Sequence, residues 1–94
     1  MSKILIVEDD ENILEHEKDY IEASNMEAQG ATNGNDGLEL ALNNDYDLIL
    51  LDVMLPGING FDICKKIRET KNTPVIFVTA KREDIDIISG VGFG

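Results

Sequence analysis

Tryptophan is absent from this chain of 94 residues, which has one cysteine, one histidine, two prolines and eight bases against 19 acids. Each shortage excludes something. The lone Cys64 admits no internal disulfide, which agrees with a reducing compartment. With aromatic residues at 5 %, a core must be built from Ile, Leu and Val. The longest apolar runs, ILIV and LILL, are far too short to cross a membrane. The N-terminal MSKILIVEDD carries acids where a secretory signal needs a long apolar stretch, so a soluble, cytoplasmic chain is expected. The deficit of bases leaves a net charge of −11. Such a domain repels nucleic acid and anionic lipid and favours cations or basic partner surfaces. Ninety-four residues allow one small domain and no second core.

What is present alternates. Short apolar runs are followed by longer amphipathic segments, the mark of a parallel α/β sheet. Lys3 to Val7 reads as a strand, and Asn12 to Ser24 as a helix with Ile13, Leu14, Tyr20 and Ile21 on one face. Glu27 to Ala31 is a weaker strand. Asn33-Gly34-Asn35-Asp36-Gly37 is a turn offering N-caps, before a helix with an inner stripe of Leu38, Ala41 and Leu42. Leu48 to Leu51 reads as a strand buried on both faces. Asn59 caps a third helix that buries Phe61, Cys64 and Ile67. Pro74 to Val78 is a fourth strand, and Arg82 to Ser89 reads as the first turns of a fourth helix. There is no internal repeat, linker or low-complexity tract.

Consecutive parallel strands need right-handed crossovers, so their carboxyl ends share one edge of the sheet, where open α/β sheets bind ligands. Three of the four strands carry polar groups there: Glu8 and Asp9 after the first, Asp52 on the third, Thr79 after the fourth. Taken alone, each is an ordinary turn or capping residue. Together, Glu8, Asp9 and Asp52 form a cluster that cannot stay fully ionised without a counter-cation. Hard, anionic oxygen donors point to Mg²⁺, and no His or Cys lies nearby in sequence to suggest zinc. Mg²⁺ beside a strand-end carboxylate suits phosphoryl transfer, with Asp52 as nucleophile and Thr79 as an oxygen donor.

In "ILIVEDDENI", "DLILLDVMLPGINGFDICKKIR", "PVIFVTA" and "GVGFG" the sequence resembles the receiver domain of bacterial two-component response regulators, over nearly its whole length. The resemblance implies a flavodoxin-like, doubly wound parallel sheet with strand order 2-1-3-4-5. It further implies that Asp52 accepts a phosphoryl group from a sensor histidine kinase and that the domain assists its own dephosphorylation. Asp9 would bind Mg²⁺ directly, Glu8 through water and Met54 by its backbone carbonyl, with Thr79 as the switch hydroxyl and a DNA-binding output downstream. The exposed Asp52 carboxylate would stand on a rigid strand, and the MLPG turn would fold a carbonyl back toward the metal.

Similar receivers continue beyond "GFG" through a fifth strand ending on Lys-Pro and a fifth helix. None of the six lysines here precedes Pro. Residues 1–94 are thus expected to be a receiver incomplete at its C-terminus, with order 2-1-3-4 and a bare edge at "PVIFV". An uncovered face over "ILIV" and "LILL" would then favour self-association. The alternative is a binding-only or engineered receiver fragment, poorly phosphorylated for want of the Lys. An Asp-nucleophile phosphohydrolase would want a second Asp where Met54 stands, and a cobalamin-binding domain would want a His after Asp52. His16, flanked by Glu15 and Glu17, reads as a solvated surface residue.

Overall fold

The computed structural model describes residues 2–53, 55, 58–78 and the backbone of 87–89. Its elements are β1 (Lys3–Val7), α1 (Glu11–Ala23), β2 (Glu27–Ala31), α2 (Gly34–Asn43), β3 (Leu48–Asp52), α3 (Gly60–Arg68), β4 (Val75–Val78) and β5 (Ile87–Ser89). The first four strands are parallel in the order β2-β1-β3-β4, the expected doubly wound arrangement. The expectation for the far edge is corrected. β5 pairs antiparallel with β4, Phe77 opposite Ile88, so the β4 edge is covered, and by residues read from the sequence as helical. The β-branched pair Ile87-Ile88 suits a strand better than a helix. Among the described residues there is no parallel fifth strand.

Alternate side chains of each strand go to opposite faces of the sheet. On one face Leu5, Val7, Ile49, Leu51, Val75 and Phe77 pack with Ala41 of α2 and with Ile63, Cys64 and Ile67 of α3. On the other, Ile4 and Ile6 are covered by Leu14 and Ile21 of α1. Among the described residues, cover is incomplete there. β1 is fully buried from Ile4 to Val7, whereas Leu48, Leu50 and Ile76 are half-buried, so the open area lies over β3 and β4 and not over β1. Tyr20, Leu42 and Phe61, expected inside, are 76 %, 38 % and 42 % exposed. Each lies at the margin of its helix's apolar stripe, about 100° around the helix from the buried residue next to it in sequence, and one supporting layer is too narrow to cover it. Phe61 still meets the Phe77 ring, centroids 4.7 Å apart.

Helix ends are fixed by local chemistry. Asn33 accepts from the Asp36 N–H at 2.8 Å and its amide donates back to the Asp36 carboxylate at 2.9 Å; Asn59 accepts from Asp62 N–H at 2.9 Å. Both are expected caps. At the C-terminus of α1, Asn25 adopts φ 62°, donating to the Glu22 carbonyl while Met26 donates to that of Ile21. This double closure needs a left-handed residue, a role that Gly fills most often and Asn next. Among the described residues, no helix is long and apolar enough to cross a membrane.

Candidate phosphoacceptor and metal site

The register of the sheet builds the site. Val7 is level with Leu51, so Glu8, the next residue, comes level with Asp52, which is itself opposite Val78. The Glu8 N–H is held by the Ala31 carbonyl at 3.0 Å, carrying β1 one residue further as a strand. The chain then turns into α1, and the turn leaves Asp9 beside Glu8. Ligand oxygens of Glu8, Asp9 and Asp52 all lie within 4.8 Å of one another.

The acidic run Glu8-Asp9-Asp10-Glu11 divides its labour. The Asp10 N–H donates to the Glu8 carboxylate at 3.0 Å, while the Asp10 side chain accepts from the N–H groups of Asn12 at 2.9 Å and Ile13 at 3.2 Å. Asp10 is the N-cap of α1, a role that sequence reading missed. Its signal was present, an Asp just before a helical run, but it was obscured by the neighbouring acids. Glu11 lies in the first helical turn, where negative charge is favourable.

Burial of the site is deeper than expected. Glu8 and Asp52 are each 2 % exposed, which corrects the view of Asp52 as an exposed carboxylate; it lies below the surface at the end of β3, under the start of α3. Burial is the main reason that the Glu8 carboxyl is pushed up from 4.5 to about 8. The Asp10 N–H opposes that rise, and the charges of Asp52 and Asp9 add to it. Glu17 of α1 is also raised, chiefly by burial and then by the Asp52 charge. Three anionic groups therefore share a volume in which the folded chain favours a proton or a cation. The donor set is all oxygen, which fits a hard divalent ion. Thr79 and Met54 lie outside the described residues.

A rigid strand-end carboxylate beside two more at the carboxyl edge of a 2-1-3-4 parallel sheet is the architecture of a signalling receiver. The chain belongs to the response regulator receiver domain family, whose family model matches residues 4–94. Over its whole length it is 47 % identical to response regulator ArlR of Staphylococcus saprophyticus and 44 % identical to ArlR of Staphylococcus aureus, and it spans 43 % of each of those proteins. Among solved structures, a Francisella response regulator receiver domain superposes with a TM-score of 0.78 at 33 % identity, over 82 % of this chain and 64 % of that one. The response regulator TrrA of Thermotoga maritima, solved in complex with Mg²⁺-BeF, gives 0.73 at 37 % identity over 76 % and 62 %.

Proposed function

We propose that this receiver domain accepts a phosphoryl group on Asp52 from a sensor histidine kinase, with Mg²⁺ held by Glu8, Asp9, Asp52 and the Met54 backbone carbonyl, and that the phosphorylated state switches a DNA-binding output. The observation that carries the proposal is the convergence of three carboxylates within 4.8 Å, two of them almost fully buried. The Mg²⁺-BeF complex of the Thermotoga protein supports the choice of cation. A bound divalent ion would supply neutralisation of charge on the transferring phosphoryl oxygens.

The chain's own residues do the rest. An Asp52 carboxylate oxygen attacks phosphorus; the new P–O bond forms as the P–N bond to the donor imidazole breaks, and the leaving nitrogen keeps the electron pair. β3 fixes the direction of attack, since Asp52 has a strand partner on β4 and little free volume. Glu8 and Asp9 hold the negative field that recruits the cation. By resemblance, Thr79 donates its hydroxyl to a phosphoryl oxygen. Water attack on phosphorus then breaks the bond to the Asp52 oxygen, releases inorganic phosphate and returns the Asp52 carboxylate, which makes the domain a regulatory element that resets itself. A cytoplasmic location, no direct binding of nucleic acid by this segment and self-association with a second copy through the open face over Leu48 and Leu50 belong to the same reading.

Treatment with acetyl phosphate and Mg²⁺, followed by intact-mass measurement, tests it. One phosphoryl mass is expected on the wild-type chain and none on Asp52→Asn. Equal labelling of the two, or no labelling of a chain extended through the ArlR-like receiver length, rejects Asp52 as acceptor, and the second result favours a binding-only domain.

A further inference from the structure

Two glycines lie against the described ends of the connection from β3 to α3, at Asp52 and Val53 and at Ile58. Gly60 opens α3, and its N–H donates to the Val53 carbonyl at 3.1 Å. A methyl group there would lie 2.6 Å from the Asp52 carbonyl oxygen and 3.0 Å from Val53 Cα. Both are backbone atoms, which cannot rotate away. Gly34 opens α2. A methyl there would press on Ile58 Cγ2 and come 2.9 Å from the Ile58 carbonyl oxygen. Both glycines are buried, so α2 and α3 each bring bare backbone against the same stretch of chain, from different elements and at separate points. The carboxylate at the start of that stretch is 2 % exposed, and a shift of its backbone carries its oxygens away from Glu8 and Asp9.

We propose that Gly34 and Gly60 are positioning residues of the carboxylate site: lacking side chains, they let α2 and α3 hold the end of β3 at the depth where the Asp52 carboxylate meets Glu8 and Asp9. The inference rests on reading those three residues as a divalent-cation site. A purely structural glycine would lower stability when substituted and leave the site's affinity alone. Gly30 supplies that comparison, since the atoms nearest a methyl there belong to the Leu14 side chain, at 2.8 and 2.9 Å, and not to the end of β3.

The test uses the 94-residue chain and Mg²⁺ alone, with dissociation constants from amide shifts and melting followed in parallel. Gly60→Ala is expected to weaken Mg²⁺ binding about tenfold or more, the scale seen when a group that orients a metal ligand is lost. Gly34→Ala should weaken it less, because the Ile58 side chain can turn. Gly30→Ala should melt lower with an affinity close to that of wild type, well short of a tenfold loss. Wild-type affinity in folded Gly60→Ala overturns the proposal. Where Gly60→Ala does not fold, Gly34→Ala decides in the same way. If wild type and Asp9→Asn bind Mg²⁺ alike, the metal reading fails, and the positioning claim is judged from the metal-free ¹³C carboxyl resonances of Glu8, Asp9 and Asp52. Displacement of these in Gly60→Ala but not in Gly30→Ala supports the claim, and unmoved resonances overturn it.

Discussion

Replacing Glu8 by Gln in metal-free solution should remove most of a stability loss that the wild-type chain suffers as pH rises. The unfolded chain holds the Glu8 proton with its ordinary value of 4.5 and the folded chain to about 8. Between those values the folded chain binds more protons than the unfolded one, so stability falls as pH rises through the window. At about 1.4 kcal/mol per pH unit the full rise corresponds to roughly 5 kcal/mol, comparable to the whole stability of a small domain. Gln keeps the acceptor for the Asp10 N–H and cannot ionise. For a domain of this size each kcal/mol moves Tm by about 4–8 °C. The wild type should therefore lose on the order of 10 °C or more between pH 5 and 8.5 relative to Glu8→Gln, and the variant should be the more stable of the two at the upper end. Thermal melts followed by circular dichroism in the presence of a chelator measure this. Parallel pH slopes for the two proteins would refute the argument, because Glu8 would then carry no proton that folding must retain.

Asp10→Ala should cost about 1 kcal/mol through loss of the α1 cap yet keep Mg²⁺ affinity, whereas Asp9→Asn should keep stability and lose most of the affinity; denaturant melts and Mg²⁺ titration separate the two roles. Asn25→Ala should lower stability by about 1 kcal/mol and Asn25→Gly should not, since only the former places an unfavourable side chain at positive φ; urea midpoints decide. Ile67→Ala, at a position with no exposed surface, should cost about 2–5 kcal/mol, read from the same melts. Light scattering joined to size exclusion should show association that weakens in Leu50→Lys; a wild-type monomer at every concentration would exclude the open face as a contact.

The strands and the carboxylate cluster were legible because both follow from one signal. A short apolar run ending on an acid marks a buried strand and the polar edge where it emerges, and parallel connections send all such edges the same way. Burial of individual helix residues was less legible. Tyr20, Leu42 and Phe61 differ from buried neighbours by one helical step, and the width of the covering layer decides which side of the margin they fall on. Asp10 looked like its neighbours in the acidic run because capping depends on where the chain turns. The segment read as a fourth helix shows why a short stretch misleads: Ile87 and Ile88 satisfy either pattern until a strand edge is available to pair with. Tyr46, 7 % exposed with its hydroxyl on Gln29 at 2.6 Å, carried no periodic signal at all.

The site is assembled by strand pairings distant in sequence, Ile4 with Leu48 and Asp52 with Val78. In the unfolded chain Asp52 is far from Glu8 and Asp9, and its repulsion with them is absent. Loop closure makes the β1–β3 pairing slow to gain relative to local contacts of α1 with β2. The electrostatic cost therefore arises only with that long-range pairing. A cation that binds only the assembled cluster would stabilise the folded domain over the unfolded chain. On the proposed reading, the fraction of chains that are folded, and not only the state of the switch, would follow the ion concentration around the domain.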